Sequence, residues 1–74
     1  MTNLDLLRYR ERLKLDQTAM AEFLAVPRGT YIKWENGERR LNSAATNLVQ
    51  LMQAIEKIAP AVFNAMLPGG NRHG

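Results

Sequence analysis

The side chains best equipped for chemistry in this chain are its cations. Ten Lys and Arg stand against seven Asp and Glu, for a net charge of +3. That excess decides little, because three charges can be spread over any surface. Placement says more: the acids are scattered, whereas basic residues gather at Arg8, Arg10, Arg12 and Lys14 and again at Arg28, Lys33, Arg39 and Arg40. Cations concentrated on one face suit a polyanion such as nucleic acid, the alternative being a solvated basic face with no partner. Other chemistries lack residues to carry them. Cysteine is absent and His73 is the single histidine, which excludes disulfides, thiol nucleophiles and the usual Cys/His zinc clusters. No nucleophile has a base beside it, no glycine-rich phosphate loop is present, and the candidate acids reduce to Asp5, Asp16 and scattered Glu. The chain therefore reads as a non-enzyme with no cofactor and no metal.

Seventy-four residues fall below the roughly 100 to 200 of a typical domain, so a single domain must position those cations. With 46% hydrophobic and 23% charged residues the chain is expected to fold rather than stay disordered, and its stability must come from packing. No apolar run has the length of a membrane span or a signal-peptide core, and the first five residues carry no basic leader. The expected location is the bacterial cytoplasm or nucleoid.

Strand signals are missing, and the segments between Gly and Pro carry helical spacing. Thr2 followed by Asp5 is a capping-box pattern, after which Leu6, Leu7, Arg10 and Leu13 share one face of a first helix that should end near Lys14. Asp16 is a good N-cap for a second helix, with Met20, Ala21 and Leu24 as its buried stripe. Pro27 breaks that helix, yet can open the next one, where a missing N–H costs nothing. From Pro27 to Asn36 the inward set is Pro27, Tyr31, Trp34 and Glu35, while Arg28, Gly29, Ile32, Lys33 and Asn36 lie opposite. A face that shows Gly and Ile among cations is not simply a solvated surface. Gly37 supplies a left-handed stop, and Asn42 or Ser43 caps a fourth helix with Ala44, Leu48, Leu51, Met52, Ile55 and Ile58 as its apolar stripe. Pro60 opens or kinks a last short helix carrying Val62, Phe63, Met66 and Leu67. The folded unit is thus expected over residues 1–67, with a flexible tail over 68–74.

Two short helices joined by a tight turn, the second with a basic outer face, form a helix-turn-helix pattern. Arg10, Leu15, Gln17, Met20, Ala21, Leu24, Val26, Thr30, Trp34, Glu35 and Gly37 fall in one register. In that register, over about residues 3–58, the chain resembles the Cro/repressor-type, XRE-like helix-turn-helix family. The resemblance implies an all-α, four- to five-helix, lambda-repressor-like domain that binds double-stranded DNA. Three positions depart from the family pattern. Ala25 stands at the usual turn glycine, so a left-handed backbone there should cost about 1 kcal/mol. Pro27 replaces the Ser/Thr cap of the recognition helix. Phe23 occupies a position that is usually polar and is expected to meet the C-terminal helix or another chain.

By the same resemblance, the outer residues of the Pro27 to Asn36 helix enter the major groove. Arg28 has the fork for guanine O6 and N7, Lys33 reaches guanine or phosphate, and Ile32 suits a thymine methyl. Gly29 permits close approach, and Thr30 belongs to the same contact set. Gln17 resembles the family's phosphate-binding glutamine, while Asn36, Arg39, Arg40 and Ser43 are expected to hold the strand across the groove. Arg10 and Glu35 resemble the family's buried ion pair, and Tyr31 and Trp34 read as core. The expected role is an autoregulating repressor of a phage or mobile-element operon, including the kind encoded beside anti-CRISPR genes. One recognition helix reads few base pairs, so a homodimer on an inverted repeat is expected. Val62, Phe63, Met66 and Leu67 are its candidate interface; the alternative is that this stripe folds back on its own chain. The rival function is antitoxin-like, with a partner toxin as the main ligand, for which residues 68–74 offer little length to wrap around.

Overall fold

Helices begin where a side-chain oxygen is ready to receive the first unpaired N–H groups, and this chain supplies three such oxygens. Thr2 accepts from the Asp5 N–H at 3.1 Å while the Asp5 carboxylate accepts from the Thr2 N–H at 2.9 Å, closing the expected capping box. Asp16 accepts from the Ala19 N–H at 2.7 Å and Asn42 from the Ala45 N–H at 2.8 Å. The fourth-helix cap is therefore Asn42, and Ser43 is the first residue inside. In the computed structural model, which describes residues 1–68, these caps open three of five helices. The five are α1 (Asn3–Leu13), α2 (Gln17–Phe23), α3 (Arg28–Asn36), α4 (Ser43–Ile58) and α5 (Pro60–Met66). The described residues contain no strand, and no helix among them is long and apolar enough to cross a membrane. Most of the expected tail, from residue 69 onward, lies outside the described residues.

Pro27 departs from expectation. It is the N-cap of α3 rather than its first turn, with φ −59° and ψ 142°, and it is exposed rather than inward. An extended ψ keeps the ring off the helix cylinder, and the residue offers no side-chain cap. Three turns end in left-handed backbone, at Lys14 (φ 59°), Ala25 (φ 58°) and Gly37 (φ 78°). Ala25 adopts the conformation that glycine would hold without strain.

The core gathers Leu6 and Tyr9 of α1, Met20 and Ala21 of α2 with Leu24 at its C-cap, Tyr31 and Trp34 of α3, Val49 of α4 and Phe63 of α5. The register of α4 corrects the expected stripe. Val49 is fully buried with Ala45, Leu48, Met52 and Ile55 beside it, whereas Leu51 is 56% and Ile58 82% exposed, and Ala44 is exposed too. Two neighbouring rows of this helix are apolar, about 100° apart, and periodicity alone does not choose between them. Tyr9 joins the core although its hydroxyl finds no partner there, and burial together with the nearby Glu56 charge pushes its pKa up to about 12.

The last helix folds back. Phe63 is buried and meets Phe23 edge to face at 5.7 Å between ring centres, which accounts for an aromatic at position 23. Leu67 packs on the same core. Half of the expected interface stripe thus belongs to the chain's own interior, and only Val62 and Met66 face outward.

The strained turn gives a stability prediction. Ala25→Gly removes a Cβ penalty of about 1 kcal/mol but adds freedom to the unfolded chain, so a net gain of up to about 0.6 kcal/mol is expected in thermal unfolding. A loss would mean that the left-handed turn is not a source of strain.

Candidate nucleic-acid interface

A helix can present an outer face reproducibly only if its inner face is fixed, and in α3 that task falls to Glu35. Its carboxylate, 6% exposed, accepts from Arg10 Nε at 2.6 Å, Arg10 Nη2 at 3.2 Å, Gln17 Nε2 at 3.1 Å and the Tyr31 hydroxyl. The Glu35 backbone carbonyl accepts from Asn3 Nδ2 at 3.2 Å, and Arg10 Nη1 donates to the Leu15 carbonyl at 3.1 Å. Burial pushes the Glu35 carboxyl up, but the hydrogen bonds from Arg10, Tyr31 and Gln17 outweigh it and hold the group below its ordinary 4.5. For Tyr31, burial and then the bond to Glu35 raise the hydroxyl well above its usual range, so it stays a donor.

The outer residues are arranged differently from one another. Arg28, Gly29, Lys33 and Asn36 are exposed, while Thr30 and Ile32 are half-buried. A Cβ on Gly29 would meet nothing within 4 Å, so the fold itself does not require glycine there. Asn36 Nδ2 makes a 3.4 Å bond to Glu38 Oε1. In the connection to α4, Arg39 and Arg40 are exposed and border an open groove of about 400 Å³ together with Asn3, Trp34 and Leu41. Ser43 is exposed at the start of α4. Gln17, first in α2, gives one amide N–H to Glu35 and keeps a second for an outside acceptor. Arg28 Nε donates to Thr18 Oγ1 at 3.0 Å. Thr18 went unremarked in the sequence, because only spatial convergence pairs it with a residue ten positions on.

Charge placement also sharpens. In the first basic group, Arg10 is engaged by Glu35, and Arg12 forms a doubly bonded pair with Glu56 at 2.7 Å on both arms while lying over the Tyr9 ring at 5.2 Å. Two of those four cations are thus committed to holding α1 against α3 and α4. Arg28, Lys33, Arg39 and Arg40 of the second group form no ion pair among the described residues. Arg8 and Lys14 of the first group are likewise exposed and without an ion pair, so four of the exposed cations without one lie on α3 and the segment after it.

Comparison with known proteins bears on the fold. The helix-turn-helix family model matches residues 6–57, more than two thirds of the chain. No curated protein and no solved structure matches.

The Glu35 arrangement predicts unequal mutants. Glu35→Ala strands the Tyr31 hydroxyl, the Gln17 amide and the Arg10 guanidinium together, whereas Arg10→Ala leaves Glu35 two donors. In denaturant unfolding Glu35→Ala is expected to cost about 3–5 kcal/mol and Arg10→Ala clearly less. Equal losses would locate the effect in the ion pair alone. Because the folded Glu35 pKa is lowered, its contribution is present above the unfolded value near 4.5 and is lost as pH falls through the folded one. Glu35→Gln should flatten the acid limb of a stability-versus-pH curve without abolishing it. Asp5, held low by Thr2, and Glu56, held low by Arg12, contribute the same sign.

Proposed function

The chain belongs to the XRE-type helix-turn-helix family of DNA-binding regulators, and from that premise we propose that it reads a specific double-stranded site with the outer face of α3. The observation that carries this reading is that face itself. Arg28, Gly29, Lys33 and Asn36 are exposed together, without an acidic partner for the cations, around a glycine that the fold does not need. Glycine in a helix is retained at a cost in stability, and open space over it suits close approach of another molecule. Arg28 is the guanine reader, Ile32 offers its accessible part to a thymine methyl, and Lys33 reaches guanine or phosphate, with Thr30 at the edge of the contact. Gln17, Asn36, Arg39, Arg40 and Ser43 hold the phosphates. The resemblance to Cro-type repressors favours repression of its own operon in a phage or other mobile element.

The working form in this proposal is a homodimer on an inverted repeat. The outward apolar residues of the C-terminal half, Leu51, Ile58, Val62 and Met66, replace the stripe first read from the sequence, since Phe63 and Leu67 are inside. The rival reading is an antitoxin-like protein whose main role is to bind a partner toxin.

Two experiments test these statements. In selection from random duplexes, Arg28→Ala should relax preference at one base pair by about 1–3 kcal/mol. Arg40→Ala should instead weaken all sequences alike and lower the salt slope by about one. A selection profile unchanged by Arg28→Ala would remove Arg28 from base readout. For the dimer, Ile58→Asp alters a residue already in solvent, so a folded monomer is expected, with much weaker binding to the full inverted repeat and unchanged binding to a half-site. If the unaltered protein sediments as a monomer at high micromolar concentration and on its DNA site, the dimer proposal is wrong.

A further inference from the structure

Arg28 is the first residue of α3 and Thr18 the second of α2, so the starts of the two helices converge and their side chains meet at 3.0 Å. Both residues are exposed, so burial does not force the contact. Nothing else restrains Arg28. It forms no ion pair and no other side-chain hydrogen bond among the described residues, and Pro27 before it supplies no cap. Its position is also electrostatically unfavourable, because the first turn of a helix carries partial positive charge and disfavours a cation. An arginine so placed would sample many rotamers and would have to be ordered at the moment of binding.

The atom that Thr18 engages is what matters. A guanidinium has five N–H groups, one on Nε and two on each terminal nitrogen. It can meet the O6 and N7 of guanine end-on, through Nη1 and Nη2, or side-on, through Nε and one Nη. With Nε–H directed at Thr18 Oγ1, the side-on approach is closed and the end-on edge remains.

We propose that Thr18 is a positioning residue for base readout: by accepting the Nε–H of Arg28 it presents the Nη1/Nη2 edge to guanine and sharpens preference at that base pair. The proposal rests on the reading of α3 as the recognition helix. It also gives Thr18 no base contact of its own.

The test compares Thr18→Val, which keeps the branched shape but removes the acceptor, with Thr18→Ser, which keeps the oxygen. Each is made alone and with Arg28→Ala, and helicity and melting are recorded by circular dichroism. Sites are selected from random duplexes, and the best site and its single-base-pair variants are then titrated. Thr18→Val is expected to lower discrimination about threefold to tenfold, at the same base pair that Arg28→Ala relaxes. Thr18→Ser should retain it, and Thr18→Val should add nothing once Arg28 is alanine. If Thr18→Val weakens every sequence equally, Thr18 is a phosphate contact and the proposal fails. It fails too if Thr18→Val leaves discrimination intact while Arg28→Ala relaxes it, and the reading of α3 then stands. A profile that Arg28→Ala does not change overturns both.

Discussion

One carboxylate organises this molecule. Glu35 accepts four hydrogen bonds, from Arg10 of α1, Gln17 of α2 and Tyr31 of its own helix, and so fills the acceptor sites that an ionised carboxylate has. A charge that is 6% exposed is tolerable only when it is saturated in this way. Saturation also fixes geometry. Asn3 and Arg10, two turns apart on α1, both end on Glu35, one at its carbonyl and one at its carboxylate, so α3 is restrained in rotation as well as in position. The neighbouring α2 residues Gln17 and Thr18 reach Glu35 and Arg28 respectively, near the two ends of α3. The outer face of α3 is thereby set by contacts on its inner side and flank.

Departures from local rules cluster at the start of that helix, although Lys14 at φ 59° and the uncapped α5 depart from them too. α1, α2 and α4 each carry a side-chain cap, whereas α3 begins at a proline with none. The turn before it holds an alanine at φ 58°, its first residue is a cation at the positive end of a dipole, and its second is a glycine with open space above it. Each feature costs some stability, and together they fall within five positions. Sequences that are otherwise locally consistent break the rules where something besides folding constrains them. Here those positions include Arg28, an exposed cation without an ion pair among the described residues.

The same division explains what could be read from the chain. Caps and stops are local, so Thr2 with Asp5, Asp16, Ala25 and Gly37 announced the helix boundaries. Rotation of a helix about its axis is not local. On α4 the rows through Leu51 and through Val49 are both apolar, and only the packing of the other helices selects Val49. Tyr9 is not legible as core for a related reason: a hydroxyl suggests surface, but its ring lies under Arg12, which is paired with Glu56, 44 residues away. Arg10 and Glu35 are separated by 25 residues and were paired through family resemblance rather than spacing. On α3 the exposure of Arg28, Gly29, Lys33 and Asn36 follows helical period, while the Thr18 to Arg28 bond does not, because it depends on how two helix starts converge.

The C-terminal helix shows how a chain this small reconciles a core with a second apolar surface. α5 has the sequence Pro-Ala-Val-Phe-Asn-Ala-Met, without a charge, and one face cannot account for all of its apolar residues. Phe63 completes the interior against Phe23, while Val62 and Met66 are exposed, as Leu51 and Ile58 are on α4. A helix apolar on both sides is ordinarily covered on both sides. In the proposed dimer a second copy supplies that cover, and side-chain contacts run from α5 to α3. Phe63 meets Phe23 at the end of α2, and Gln17 and Thr18 at the start of α2 meet Glu35 and Arg28 of α3. A single seven-residue helix, α2, thus links the packing of α5 to the setting of α3.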